Sequence, residues 1–352
     1  MCNIANFWAA NGKEVTLITL ESETTDFYTL SSEVNRVALG LAGHSPRLWD
    51  ALWNNLHRLK GLRQAIRASR ADAVISFIDS MNISTLLASI GLNVPVIVSE
   101  RNDPRQYHVG WVRSTLRRLL YPRASAVVVQ TDRVRRWAQE FVRGEAVYSI
   151  PNPVTLPVRE LDESVGPLDA SHNIVAMGRL APQKGFDLLI RAFAQCAMKY
   201  PGLSLVILGE GEGREDLVRL AKGLGIANRV SMPGTIKDPT KLLRQADLFV
   251  LSSRFEGFPN ALLEAMASGL PVVSFDCPTG PREIIRDGVD GILVPPEDVE
   301  ALAAAVDRLM SDEAERRRLA LRAAEVTERF ELEKVMAMWE AVLAEVFERR
   351  KP

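Results

Sequence analysis

Apolar runs of strand length alternate with helix-period patterns along the whole chain, and this alternation is what most restricts its fold. Parallel strands need a crossover connection, usually a helix, so repeated strand and helix units predict parallel sheets covered by helices on both faces. In the first half the strand runs are Glu14–Leu20, Asn35–Leu39, Ala73–Phe77, Pro95–Ser99, Ser125–Gln130 and Val147–Ile150. In the second they are Asn173–Met177, Ser204–Leu208, Arg229–Met232, Leu248–Leu251, Pro271–Phe275 and Gly291–Val294. One helix is plain: Leu48, Leu52, Leu56, Leu59, Leu62 and Ile66 recur at three- and four-residue steps, with Arg58, Arg63, Arg67 and Arg70 off the stripe. Pro151-Asn152-Pro153 and the acidic stretch Arg159–Asp169 interrupt all periodicity and read as a linker. The fold class that follows is α/β with two doubly wound domains, residues 1–160 and 161–330. A C-terminal helix within 331–352 is expected to pack back towards the first domain.

Composition serves mainly to exclude. A chain of 352 residues suits two domains, and 47% hydrophobic with 25% charged residues describes an ordinary globular protein. Cys2, Cys196 and Cys277 show neither a disulfide framework nor zinc-ligand spacing, which points to a reducing, cytoplasmic setting. The longest uncharged stretch, Ser80–Ser99, contains Asn82, Gly91, Asn93 and Pro95 and reads as helix, turn and strand rather than a membrane span. The amino-terminal residues lack the features of a signal peptide. Net charge is −1, yet residues 1–150 carry 18 Lys and Arg against 13 Asp and Glu, while the remainder carries 25 against 31.

Two clusters carry chemistry. After strand Asn173–Met177 comes Gly178-Arg179-Leu180-Ala181-Pro182-Gln183-Lys184-Gly185, then a helix. Glycines at a strand end permit close backbone approach, and a forked cation beside a compact one suits a diphosphate without a metal. Taken alone, the same residues also fit two solvated loop cations. After strand Leu248–Leu251 comes a loop holding Glu256, Gly257 and Phe258, then a short helix opening at Pro259 that includes Asn260 and Glu264 and ends at Gly269 and Pro271. Pro259 fits the first helical position, and the helix presents free N–H groups beside two carboxylates able to grip sugar hydroxyls. The bland alternative makes Glu256 a partner of the helix dipole and Glu264 a solvated helix residue. The segment Gly209-Glu210-Gly211-Glu212-Gly213 lacks dinucleotide spacing and reads as a loop near a nucleoside; Met232–Lys237, with Ile236, is the better wall for a base.

Together GRLAPQKG and EGFPNALLEAMASGLPVVS, in this order and spacing, resemble the family 4 retaining glycosyltransferases. The resemblance covers nearly the whole chain and implies two Rossmann-like domains facing across a cleft, the GT-B arrangement, with the donor held by the second domain and the acceptor by the first. By that similarity Arg179 and Lys184 neutralise the donor diphosphate, Glu256 contacts sugar hydroxyls, Glu264 binds the ribose, and the backbone around Phe258–Asn260 holds diphosphate and sugar. Catalytic roles fall to Arg179, Lys184 and Glu256; Gly178, Ile236, Gly257, Phe258, Pro259, Asn260 and Glu264 join them in donor binding. The resemblance implies no protein nucleophile, no metal and no cofactor beyond a UDP-sugar co-substrate. Ser99-Glu100-Arg101-Asn102-Asp103-Pro104 and Cys277–Ile285 look like the subgroup that extends lipid-linked oligosaccharides in bacterial surface-glycan assembly. There Arg101 stands where many relatives place a histidine, so the resemblance implies no histidine contact to the transferred sugar; Arg101 and Asn102 are the acceptor-side candidates. His44, His57, His108 and His172 are scattered and read as surface or satisfied histidines. Relatives usually begin with a strand and a glycine-rich loop, whereas Met1–Trp8 reads as the inside of the helix that follows. The expectation is a first domain without that strand and loop, with Met1 internal to a longer reading frame.

Arg101, Arg105, Arg113, Arg117, Arg118, Arg123, Arg133, Arg135, Arg136 and Arg143 crowd one region, interleaved with Trp111, Leu116, Leu119, Leu120 and Trp137. Such a basic, aromatic segment suits the anionic inner face of the cytoplasmic membrane, where a polyprenyl-diphosphate-linked acceptor would lie; a solvated Arg-rich face is the alternative. No nucleic-acid-binding motif accompanies the charge. The expected activity is transfer of a hexose or N-acetylhexosamine from a UDP-sugar to a glycan acceptor. Alternatives are a UDP-sugar epimerase of the same fold and a truncated, non-catalytic sugar-nucleotide-binding protein.

Overall fold

The computed structural model describes residues 1–22, 29–42, 48–107, 110–154 and 171–351, with residues 48–52 described by their main chain alone. Contacts divide the chain into two units, Met1–Ile150 with Met336–Pro352, and Pro151–Val335. The expected boundary at residues 160 and 161, the stretch 159–169, His44 and His108 lie outside the described residues. Val154 belongs to the second unit, where its side chain joins the core and its N–H donates to the Phe330 carbonyl at 2.8 Å.

Among the described residues the second unit is built on one six-stranded, all-parallel sheet. Its strands are β7 (His172–Met177), β8 (Leu203–Leu208), β9 (Val230–Gly234), β10 (Leu248–Leu251), β11 (Val272–Phe275) and β12 (Ile292–Val294), in the spatial order β12-β11-β10-β7-β8-β9. Alternate residues feed two cores, as a period of two demands. Ile174, Ala176, Leu205, Ile207, Leu248 and Val250 face one side, under α6 (Phe186–Lys199), α7 (Arg214–Gly223) and α11 (Val299–Ser311). Val175, Val206, Leu208, Phe249 and Leu251 face the other, with α8 (Thr240–Gln245), α9 (Asn260–Ala267) and α13 (Val326–Arg329). With both faces covered, the strands are continuous apolar runs. Strand order reverses between β7 and β10, which are paired in register at Ile174 with Leu248 and Val175 with Phe249. The crevice outside the carboxyl ends of such a strand pair is where open parallel sheets bind ligands.

In the first unit the strands are also parallel. They form two sheets among the described residues: β1 (Val15–Thr19) with β2 (Val34–Ala38), and β3 (Val74–Phe77), β4 (Val96–Ser99), β5 (Ala126–Val129) and β6 (Val147–Ser149) in that order. Helices α1 (Cys2–Ala10), α2 (Leu48–Ser69), α3 (Asp79–Ala88), α4 (Trp111–Leu120) and α5 (Asp132–Gln139) alternate with them. Each expected strand forms within two residues of its sequence-based limits, and Ser80–Ser99 is helix, turn and strand.

Two expectations are corrected here. The apolar stripe of α2 is buried at Leu62 and Ile66, but Leu56 is 58% exposed. Arg58 and Arg63, off the stripe, turn inward instead: Arg58 donates to the Leu41 carbonyl at 2.8 Å, and Arg63 to those of Ala88 and Ile90 at the end of α3 at 2.7 and 2.6 Å. The Arg-rich region is likewise no uniform basic face. Arg117 is 3% exposed, 3.3 Å from the buried Glu100 carboxylate and 4.8 Å above the buried Trp137 ring, so neither Arg117 nor Trp137 is open to a surface partner. Tyr121 donates to Glu100 at 2.9 Å and receives Asn82 at 3.0 Å; burial pushes the Glu100 carboxyl upward despite this pairing. A buried charge pair is retained only when its remaining lone pairs are met, and Tyr121 meets one.

Helix α14 (Leu332–Glu348) supplies Trp339, fully buried, with Trp8 edge-on at 6.5 Å and Phe77 tilted at 5.9 Å. Replacing a buried aromatic residue by Ala leaves a cavity and costs about 3–5 kcal/mol. Trp339→Ala is therefore expected to lower the urea stability of the first unit by that order. A loss below about 1 kcal/mol in denaturation followed by Trp fluorescence and circular dichroism would show that this aromatic cluster does not hold the terminal helix.

Candidate active site

The carboxyl ends of β7 and β10 each release one of the two sequence clusters, and the structure knits the two loops together within the second unit. Gly185 has φ +60°, and a Cβ there would overlap the Ser252 carbonyl oxygen, so only glycine lets the first loop approach the end of β10 this closely. Ser252 in turn donates its hydroxyl to the Lys184 carbonyl at 2.9 Å, Gln183 donates to the Phe255 carbonyl at 2.9 Å, and the Arg254 N–H donates to Gln183 at 2.8 Å. Arg254 adds a two-pronged bond to Asp187 at 2.9 and 2.8 Å, which holds the Asp187 carboxyl below its ordinary range.

The loops bring Lys184 and Glu256 into direct contact. The Lys184 ammonium lies 2.6 Å from Glu256 Oε1, and Ser253 donates to the same oxygen at 2.6 Å. Glu256 is 5% exposed, so the pair sits largely out of water, where an unpaired charge would be costly. The Lys184 stem passes over Gly178, where a Cβ would stand 3.2 Å from it. Arg179 is exposed and, among the described residues, makes no ion pair, leaving its guanidinium available at the carboxyl end of β7.

Pro259 is the residue that precedes α9, with extended backbone at ψ 98°, and the helix begins at Asn260; the expected placement of Pro259 at the first helical position is off by one. A helix nevertheless leaves its first-turn N–H groups without internal acceptors, so those of Asn260 and Ala261 open towards the loop. Gly257 and Pro259 are buried, and Phe258 is buried with its ring packed edge-on against Phe330 at 5.6 Å; the Phe258 side chain serves the core and only its backbone faces the loop. The Asn260 side chain accepts from Asn152 at 2.7 Å. Glu264, one turn further along α9, is half-buried, and its carboxylate has no hydrogen-bond or ion-pair partner among the described residues. Burial, then repulsion by Asp238, pushes its pKa up to about 7.

The neighbouring strand ends complete this side of the crevice. Gly209, φ +137°, lies against the Gly178 carbonyl so closely that a Cβ would overlap it, and Leu180 and Gly213 exchange main-chain bonds with the same loop. Arg214 ties Glu210 to the Met232 carbonyl, which makes Glu210, the first of the two glutamates in that glycine-rich segment, a structural partner. Ile236 is half-buried and packs on the second core face, two residues before Asp238.

Arg101 and Asn102 lie in the first unit, directly after β4. Arg101 stacks 4.7 Å above Phe77 and 5.8 Å from Trp339, and burial lowers its pKa. His57 is exposed on α2, 3.0 Å from the Trp53 carbonyl, and His172 opens β7, 3.3 Å from Asp247. Sequence reasoning passed over Ser253, Arg254, Asp238 and Asn152. Arg254 and Ser253 stand inside the second motif and Asn152 in the linker, but only the folded loops reveal what they bind.

Comparison with known proteins agrees with this geometry. Residues 159–326 match the model of glycosyl transferases group 1, and residues 1–153 match that of a glycosyl transferase 4-like domain. An exopolysaccharide phosphotransferase of Streptomyces coelicolor is 35% identical over 87% of this chain, which spans about a third, 32%, of that relative. An N-acetylgalactosaminyltransferase of Campylobacter jejuni, named for an undecaprenyl-diphosphate-linked acceptor, is 28% identical over 91% of this chain and 87% of its own. In fold, sucrose-phosphate synthase of Thermosynechococcus elongatus superposes with a TM-score of 0.83 at 20% identity, over 98% of this chain and 92% of its own. Anabaena HepE, solved with UDP and glucose, gives 0.75 at 19% identity over 97% and 94%. With its second half matched to glycosyl transferases group 1 and its first half to a glycosyl transferase 4-like domain, this chain is a glycosyltransferase of the GT-B fold.

Proposed function

We propose that the chain is a retaining glycosyltransferase that moves a hexose or N-acetylhexosamine from a UDP-sugar to a glycan carried on a polyprenyl diphosphate. The observation that carries this reading is the convergence of Lys184, Glu256 and the open end of α9 at the point where strand order reverses, with Arg179 on the same loop as Lys184. Relatives named for α-linked transfer to diphospho-undecaprenol oligosaccharides support the acceptor class, and the HepE complexes with UDP and UDP-glucose support the donor class. An α-linked product from an α-linked sugar nucleotide is retention.

In this reading the C1–O bond to the diphosphate breaks while the acceptor oxygen bonds to C1 from the same face. The acceptor's proton passes to a phosphate oxygen of the departing UDP. Negative charge grows on that phosphate, so Arg179, Lys184 and the α9 N–H groups stabilise the transition state more than the bound donor. These fixed cations take the part that a metal plays elsewhere, and transfer proceeds with a chelator present. Glu256 receives a hydroxyl of the transferred sugar, Glu264 the ribose hydroxyls, and the loop at Ile236 faces the base. Arg101 and Asn102 serve the acceptor in the first unit.

Work at the inner face of the cytoplasmic membrane falls to α4. Trp111, Val112 and Leu119 are 80%, 49% and 58% exposed, with Arg113 and Arg118 beside them, whereas Arg117 is turned inward. Apolar side chains ringed by cations fit an anionic lipid surface. Among the described residues no helix is long and apolar enough to cross a membrane.

Lys184→Ala and Glu256→Ala should each lower kcat by about 10²–10³-fold, in the range for losing one preorganised electrostatic group, with folding intact by circular dichroism. Full activity in both, measured as UDP release with a lipid-linked acceptor, would refute the assignment. For Glu264, a pKa of about 7 means its ionised, hydroxyl-accepting form drops from about nine-tenths at pH 8 to about one-tenth at pH 6. UDP-sugar affinity by calorimetry should fall nearly tenfold over that interval, and Glu264→Gln should flatten the profile. Because the folded pKa is raised, ionisation costs stability above pH 7 and the cost fades as pH falls towards the unfolded value, so Glu264→Gln should melt higher than the parent at pH 8. An unchanged pH profile in the Gln variant would remove Glu264 from the site. Lastly, Arg113→Glu with Arg118→Glu should weaken co-sedimentation with anionic vesicles by about tenfold or more and leave neutral vesicles unaffected. Equal binding of parent and variant would sink the membrane reading.

A further inference from the structure

Glu256 does not hold its own place. Its carboxylate is engaged by Lys184 and Ser253, but both lie on the loops that Glu256 must be positioned against, so its main chain needs an anchor elsewhere. That anchor is the turn from Asp276 to Gly280, which leaves the neighbouring strand β11. The Thr279 hydroxyl donates to the Glu256 main-chain carbonyl, and Thr279 is 4% exposed. Gly280, φ +97°, packs beneath the same loop. A Cβ there would stand 2.6 Å from Pro259 Cδ, 3.2 Å from the Gly257 carbonyl oxygen and 3.3 Å from Glu256 Cβ. The turn itself is fixed to the sheet: Asp276 donates its N–H to Val294 at 2.8 Å, and its carboxylate pairs with Arg282 at the start of α10 (Pro281–Ile284). Strand β11 is in register with β10, which carries the Glu256 loop.

We propose that Thr279 is a positioning residue for Glu256, and that the Asp276–Gly280 turn is the wall that fixes where the donor's sugar ring sits, a role that rests on the glycosyl-transfer reading above. Groups assigned to the nucleoside and diphosphate, Arg179, Lys184, Glu264 and the first turn of α9, make no hydrogen bond to Thr279 among the described residues. Loss of the hydroxyl therefore acts directly on the sugar contact and reaches the UDP groups only through the Lys184–Glu256 pair, whose Lys184 main chain is held separately by the Ser252 hydroxyl. Misplacement by about 1 Å of a group that orients the reacting centre costs about 10²-fold in rate.

The test compares UDP with UDP-sugar binding by calorimetry, alongside turnover, in Thr279→Val and Thr279→Ser. Val keeps the volume, removes the donor and leaves the Glu256 carbonyl unpaired; Ser restores the donor. In Thr279→Val, UDP affinity should stay within twofold of the parent, the extra affinity of UDP-sugar over UDP should vanish, and kcat should fall about ten- to a hundredfold with a smaller change in donor KM. Thr279→Ser should recover both within about threefold. An unchanged sugar increment in Thr279→Val would overturn the proposal. So would equal weakening of UDP and UDP-sugar, which marks a general loss of structure. Should Thr279→Val not fold, Gly280→Ala, which crowds the same contact from below, must show the selective loss of the sugar increment or the proposal fails. A parent chain that binds UDP-sugar but transfers to no acceptor would sink the glycosyl-transfer reading, while the binding increment would still decide the place of Thr279.

Discussion

The pairing of β7 with β10 is the constraint on which the donor side of the molecule depends. Two strands distant in sequence, joined in register at Ile174 with Leu248 and Val175 with Phe249, end side by side and release loops into one crevice. The charged groups given to the diphosphate and sugar are built on these ends: Lys184 and Arg179 on one loop, Glu256 on the other, α9 directly behind it. The strands are buried on both faces, so their register cannot slip without exchanging two apolar cores, and a shift of one residue would turn every side chain to the opposite side. Rigidity of the scaffold is thereby handed to groups that must meet within hydrogen-bonding distance.

The charges themselves follow a common logic. Lys184 and Glu256 are mutually compensated, Arg254 is satisfied by Asp187 and Glu297, and the Glu210 of the glycine-rich loop by Arg214. Against this background Arg179 and Glu264 are set apart, being without ion-pair partners among the described residues. A half-buried carboxylate with no counter-charge is unfavourable in the folded chain alone, and its raised pKa expresses that penalty. Strain of this kind persists where a ligand relieves it, which sets Glu264 apart from the many carboxylates whose partners are already in place.

How much of this was legible beforehand differs by kind of interaction. Strands were readable because the sheets are parallel and buried on both faces, which writes them as unbroken apolar runs such as Leu248–Leu251 and Pro271–Phe275. The two motifs placed Arg179, Lys184, Glu256 and Glu264 because contiguous stretches fix local backbone. Partnerships across sequence were not readable. Nothing in the spelling of the chain says that Thr279 anchors the carbonyl of Glu256, or that Asn152 in the linker meets Asn260. Pro259 was misplaced by one position, since Pro suits both the residue before a helix and its first residue.

The basic segment of the first unit shows why a charge list is a poor guide to a surface. Ten arginines crowd one region of the sequence, yet the fold does not give them one fate. On α4, Arg113 and Arg118 point outward with Trp111, while Arg117 turns inward to Glu100 and Trp137. The inward arginine is no weaker a constraint for being hidden. Removing it would leave the buried Glu100 beside Asp79 without its closest counter-charge, at a cost that exceeds any contribution of the pair itself, and would take away one tie between α4 and the end of β4. The helix that offers cations to a surface is thus held by a cation it does not offer. The loop that carries Arg101 and Asn102 begins at the very residue, Glu100, to which that helix is tied.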